Sequence, residues 1–541
     1  MLRVLKPVIA AALWCVLPGS LAAQEAHDRH AETLGRVVFP VSCTPEARTR
    51  FERAMALLHS FWWEEGGRAF REVAAADSTC AMAYWGAALN FWGNPFVGGP
   101  SGDNLRLGAA ASARALALGG RTARERGFLA SVGALYRDPE GVPNARRLQA
   151  YSDTLARVYR DFSDDPEVAI YYALSLVATA SPLDTTFARQ KQAAAILNPL
   201  FRRFPEHPGL AHYIIHANDS PQLASLGLDA ARRYARIAPS APHAQHMPSH
   251  IFVRLGLWDE TIAANQRSLE AGVTYAHAQH QRGVAPEQFH ALDYMVYGYL
   301  QEGRDSAARQ RVAEGLALTT VLSSDALVTS YNRVAMEARV PLERGDWAAA
   351  ARLPVRAAGQ GGIGEALAHF ARGLGAARSG DTAQARVEVA ALAAIATALA
   401  GQPGYNWSRI VGIKQQAVTA WLLLASGDTA GALREGKAAA DREDVTEKHP
   451  VTPGELLPAR ELEGDLLLAV GRPARARTAY EATLRREPGR ARSLFGAARA
   501  AELAGDVQTA RARYQEFLKL MANADGDRPE LETAKHATAL N

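Results

Sequence analysis

The sequence predicts an all-α solenoid of antiparallel helical hairpins, and three observations predict it. Segments rich in Ala, Leu, Arg and Glu carry apolar residues at helical spacing, and almost nothing alternates with the period of a strand. Gly-Asp and Gly-Arg turns separate these segments, as short connections do between antiparallel helices. Near the C-terminus the pattern repeats outright: Gly471, Ala476 and Tyr480 recur as Gly505, Ala510 and Tyr514, each displaced by 34 residues.

Along the chain of 541 residues the first element is a secretion signal over residues 1–23. Arg3 and Lys6 give its positive end, Val8 to Leu17 its apolar core and Pro18-Gly19 its break, and Leu21-Ala22-Ala23 or Ser20-Leu21-Ala22 offers small residues for cleavage. That apolar run is too short to span a bilayer, and no later run approaches the roughly 20 residues spanning needs. A soluble exported protein, periplasmic or extracellular, is therefore expected, with no transmembrane segment. Cys15 leaves with the signal; Cys43 and Cys80 then sit in an oxidising compartment, where they can form one disulfide.

Residues 24–47 read as an extension. From His59 to Phe70 and from Ala81 to Gly86 the chain reads as a divergent hairpin. Turn glycines follow at Gly256, Gly303, Gly345, Gly380, Gly427, Gly471 and Gly505, spaced 47, 42, 35, 47, 44 and 34 residues, so the middle units carry insertions. Residues 93–103 and 359–364 are Gly-rich loops, residues 441–453 a charged, Pro-bounded connection and residues 525–541 a frayed tail. The whole divides into a divergent region over 48–305, hairpins over 306–454 and a regular pair over 455–524.

Composition excludes some functions. Hydrophobic content of 48% marks a globular chain. The net charge is only +4, and 53 arginines against seven lysines are interleaved with acids rather than gathered in a basic run, so no nucleic-acid surface is expected. No Gly-x-Ser-x-Gly elbow, His-Glu-x-x-His, Cys-x-x-Cys or Gly-x-Gly-x-x-Gly occurs. Gly431 to Lys437 matches most of a P-loop, but Ala438 stands where Ser or Thr should hold Mg and no strand precedes it.

A 34-residue helix–turn–helix with Gly in the turn, Ala and Tyr in the second helix and Pro488 at the end resembles the tetratricopeptide repeat (TPR). The resemblance is strong over 455–520 and loose elsewhere between 48 and 520. It implies a TPR-like helical-hairpin solenoid, a right-handed superhelix with a concave groove lined by the first helix of each pair. It also implies which repeat positions face that groove. In that frame His212, His216 and Asp219, then His243, His246 and His250, then His290, Asp293, Tyr294 and Tyr297 fall on groove positions of three consecutive units.

The residues point the same way without the frame. Nine of the fifteen histidines lie between His207 and His290. His212-x-x-x-His216-x-x-Asp219, His243-x-x-His246-x-x-x-His250 and His290-x-x-Asp293-Tyr294 each share a helix face, because residues three, four and seven apart do. Pro248 marks the first turn of its helix, which places His243 and His246 in the loop before it. Imidazole and carboxylate without cysteine suit a divalent transition metal such as Zn, Fe or Cu.

The expected metal ligands are His212, His216, His243, His246 and His250. Asp219 is a ligand or general base, Asp293 a partner holding His290, and Asp219, His290, Asp293 and Tyr294 are the candidate catalytic groups. Three functions remain open at this point. The groove is a metal-carrying binding site, a metal-dependent hydrolase or oxidase, or a metal-free groove for a protein or peptide; a small-molecule substrate fits the first two. Around the site, the string Phe61, Trp62, Trp63, Tyr84, Trp85, Phe91 and Trp92 either floors a ligand pocket or, as such strings more often do, forms the packed core of an atypical terminal repeat. His59, Glu64 and Glu65 either close the groove from its N-terminal side or, as Glu-Glu pairs usually do, face solvent. Lys448, His449 and Glu455 lie on a long connection that either runs over the surface or folds into the groove as a lid.

Overall fold

Helices follow one another almost without interruption in this computed structural model, which describes residues 32–96, 99–322, 326–356, 362–402 and 404–539. The expected signal over 1–23 lies outside the described residues, as do parts of the 93–103 and 359–364 loops. Among the described residues the β structure is one isolated parallel bridge, Val284 to Val321. The fold is an all-α, TPR-like solenoid: each helix packs mainly on the one before it and the one after it.

Local chemistry explains the punctuation. All seven predicted turn glycines adopt positive φ, between 66° and 88°, a region costly for side chains bearing a Cβ. Aspartates just beyond four of them, Asp346, Asp381, Asp428 and Asp506, accept the backbone N–H three residues on and so cap the next helix. The regular pair is Ala459–Ala469 with Pro473–Arg486 and Ala491–Leu503 with Val507–Leu520. Its repeated Ala476, Tyr480, Ala510 and Tyr514 are all buried, which is why the 34-residue period is kept there.

The solenoid closes on itself. Trp258 Nε1 donates to the Gly489 carbonyl at 2.8 Å, Arg490 Nη1 reaches the Tyr297 hydroxyl at 2.9 Å, and Asp525 N donates to the Gly303 carbonyl at 3.2 Å. At Gly256 an added Cβ would collide with the Pro488 carbonyl, so this turn needs glycine for approach as well as for φ. The described residues from Leu34 onward accordingly form one compact unit. The C-terminal stretch, expected to fray, carries a helix, Pro529–Ala539; buried Arg528 ties its start to Asp305 Oδ2 at 3.1 Å. Cys43 and Cys80 are joined in a disulfide. No helix among the described residues is long and apolar enough to cross a membrane.

Candidate metal centre

Proline opens each helix that brings a histidine to the groove: Pro45–His59, Pro208–Asn218, Pro242–His246, Pro248–Leu255 and Pro286–Gln301. His212 and His216 stand one turn apart on Pro208–Asn218, with Asp219 as its C-cap. Pro248 does start a helix, but His243 and His246 lie on a short helix of their own and not in a loop; Met247, with helical φ and ψ, joins the two pieces.

Six imidazoles converge in two groups of three. In the first, His212 Nε2 stands 3.1 Å from His216 Nε2 and 3.2 Å from His243 Nε2. In the second, His246 Nε2 stands 3.0 Å from His250 Nε2, and a ring nitrogen of His290 lies within 4.8 Å of both. Three nitrogens at about 2.0–2.1 Å from one tetrahedral ion lie roughly 3.3–3.4 Å apart, close to these separations.

The other ring nitrogens fix the tautomers. His212 Nδ1 is 2.6 Å from the His59 carbonyl, which can only accept. His250 Nδ1 is 2.9 Å from Asp219 Oδ2, whose partner oxygen accepts from Arg254 Nε at 2.9 Å. His246 Nδ1 is 2.6 Å from Asn265 Oδ1; Asn265 Nδ2 donates to the Thr261 carbonyl at 2.8 Å, so Oδ1 is the atom facing the ring. In all three histidines Nδ1 therefore carries the hydrogen and Nε2 presents a lone pair inward, the arrangement in which outer partners orient metal-binding imidazoles. His290 Nδ1 is buried and has no hydrogen-bond partner.

Burial keeps the cluster neutral. It pushes His212, His216, His243 and His290 well below the ordinary imidazole value, and neighbouring histidines push the same way. His246 falls to about 3, from burial first and then His250, against the opposing bond to Asn265. Burial pushes the Asp219 carboxyl up, but Lys448 and Arg254 outweigh it and hold the group well below its usual range.

Aromatic rings roof the first triad. Phe61, at φ 52°, turns its ring onto His212, 4.4 Å between centroids, and stacks on His243 at 5.5 Å; Phe96 lies 4.2 Å from His216. Tyr294 packs 4.9 Å from both His246 and His290, with its hydroxyl 3.4 Å from the Thr452 carbonyl. Of the aromatic string, Trp85 is core as expected, whereas Phe61 belongs to the site. The connection before Pro458 folds inward: His449, Val451 and Thr452 are buried, and Arg254 Nη2 holds Glu447 Oε1 at 2.6 Å. Glu455 pairs with Lys414.

Asp293 does not support His290: both its oxygens bind Arg339, at 2.7 and 3.1 Å, and neither Asp293 nor Arg339 is exposed. Glu64 and Glu65 do not enter the groove; they bond Gln281 at 2.9 Å and Arg68 at 2.6 Å. A third cluster, unforeseen in sequence because Glu167 stands alone there, joins His59, Glu167 and His207. Its ring nitrogens are all engaged: His59 Nδ1 with the Tyr213 hydroxyl at 3.0 Å and Nε2 with Glu167 at 3.1 Å, His207 Nε2 with Glu167 at 2.9 Å and Nδ1 with the Leu210 N–H at 3.3 Å. This cluster is a hydrogen-bonded support, and it positions the His59 carbonyl that holds His212.

No protein-family model matches the chain, and no curated protein matches it. Among solved structures it is similar to a human IFIT1 dimer with m7Gppp-AAAA, at 12% identity over 78% of this chain and 87% of that one, with a TM-score of 0.36. It is also similar to yeast Tom70, at 10% identity over 91% and 96%, with a TM-score of 0.27.

Proposed function

We propose that this chain is an exported, TPR-like solenoid whose groove binds transition-metal ions at two tri-histidine sites, one at His212, His216 and His243 and one at His246, His250 and His290. A single observation carries the reading. His246 and His250 aim bare Nε2 lone pairs at each other across 3.0 Å, because both Nδ1 hydrogens are held by acceptors. Two lone pairs at that distance repel unless a proton or a metal ion stands between them; burial disfavours the proton, and three imidazoles supply a metal ion with a ligand set that leaves a coordination position open.

The surroundings support the reading. Asp219 and Asn265 orient ligands rather than bind the ion, as outer partners do at metal sites. The Cys43–Cys80 disulfide fits the oxidising compartment to which the N-terminal signal would send the chain. Partly exposed His216, His243 and His290 leave the site open to a small molecule.

Elemental analysis of the untagged protein tests this. Close to two equivalents of metal are expected, one per triad, falling when His246 and His250 are both changed to Ala. Protein that retains no metal after incubation with Zn, Fe and Cu would contradict the proposal.

A further inference from the structure

Resting on that metal-binding reading, we infer that the two triads act as one dinuclear copper centre that binds dioxygen between its ions.

The spacing unites the triads. Within them, ring centroids lie 4.8, 5.0 and 5.0 Å apart for His212–His216, His212–His243 and His246–His250. Across the gap, His243–His246 and His216–His250 are separated by only 6.2 and 6.3 Å. Two-metal sites hold their ions about 3.5–4 Å apart and let them share a ligand. Asp219 links the halves physically: it caps the helix of His212 and His216 and holds His250.

The donor set selects the metal. Neither triad contains a carboxylate or thiolate ligand, and the nearest carboxylate, Asp219, is engaged by His250 and Arg254. Carboxylate-rich sites suit Mg, Ca and Mn, whereas imidazole suits Zn, Cu, Fe and Ni, and charge decides among these. Neutral imidazoles bring no countercharge, and around them Arg254 and Lys448 offset Asp219 and Glu447. A pair of divalent ions would leave four positive charges uncompensated in a buried site, a costly arrangement. Copper(I) halves that charge.

Dioxygen then fits the gap electrically. Each Cu(I) gives up one electron and becomes Cu(II), and dioxygen takes both electrons as a bridging dianion. No proton moves and nothing leaves. The net charge is two positive before (two Cu(I)) and two positive after (two Cu(II) and the dianion), so the step adds no charge to the site. The roof of Phe61 and Phe96 over His243 and His216 suits a small apolar diatomic.

The test loads the metal-stripped full chain with Cu(I) under anaerobic conditions, removes unbound copper and admits a measured amount of dioxygen. Two coppers retained and one dioxygen taken up per two coppers is the expected result, with a new near-ultraviolet absorption. In His216→Ala and in His290→Ala, one in each triad, uptake should vanish although copper remains in the intact triad. Two coppers without uptake, one copper only, or half the uptake in each variant overturns the dinuclear inference and leaves metal binding standing. Failure to retain copper, zinc or iron overturns the metal-binding reading itself. Wild-type stoichiometry decides the matter even where a variant does not fold.

Discussion

His250 and Asp219 form the hinge of the site: Nδ1 lies 2.9 Å from Oδ2, and this one bond fixes which nitrogen of His250 faces its triad. The carboxylate is itself braced by Arg254, so the imidazole is held by a chain of charged and hydrogen-bonded groups running outward from the groove.

Asp219→Asn should therefore weaken metal binding without removing a ligand. An amide can present its NH2 to Nδ1 and favour the wrong tautomer, and loss of such outer partners typically costs 10–100-fold in affinity. Competition with a chelator of known affinity measures it; an unchanged affinity would mean that Asp219 does not set the tautomer.

Asp293 separates structure from metal. Asp293→Ala leaves Arg339 buried without its countercharge, a loss of about 3–5 kcal/mol for a pair of this kind. Urea unfolding should show that loss, while metal content per folded chain stays at the wild-type value.

The sequence made the groove legible through histidine spacing. His212, His216, His243, His246 and His250 were all expected as ligands and all converge, because three- and four-residue spacing fixes a helix face whatever the tertiary context. His290, a candidate catalytic group in the sequence, lies with His246 and His250 in the second triad. Asp293 looked equivalent to Asp219, since both sit three residues after a histidine. What separates them is that Arg339, 46 residues away, takes both oxygens of Asp293, whereas Arg254 leaves Asp219 Oδ2 to His250, and no local pattern announces such partners. Phe96 and Asn265 carry no sequence signal as site residues for the same reason, and Phe61 stands out only as one of the aromatics whose reading as a pocket floor the sequence leaves open. The repeat period was plain only at 455–520, where Tyr480 and Tyr514 fill equivalent core positions.

His449 gives the infolded connection a pH dependence. Burial, then Lys448, pushes it from 6.5 to about 3, and its Nδ1 accepts from the Val451 N–H at 3.1 Å. Because the folded value lies below the unfolded one, the unfolded chain takes up the proton first as pH falls. Stability from this residue is complete above pH 6.5 and is lost as pH drops toward 3. At pH 5 the loss through His449 is about 2 kcal/mol. His449→Gln should shrink the difference between urea midpoints at pH 8 and pH 5.

Reducing the disulfide should cost stability. Cys43 and Cys80 are 37 residues apart, and a loop of that size contributes about 4 kcal/mol in the chain-entropy model. Thermal melts with and without reductant, and of Cys43→Ser with Cys80→Ser, measure it; metal content should not change.

Anomalous diffraction from crystals of the copper-loaded protein locates the ions. Two peaks are expected in the groove: one about 2.0–2.1 Å from Nε2 of His212, His216 and His243, the other at the same distance from ring nitrogens of His246, His250 and His290. Peaks confined to other histidines such as His277 and His280, with none inside either triad, would contradict the proposal.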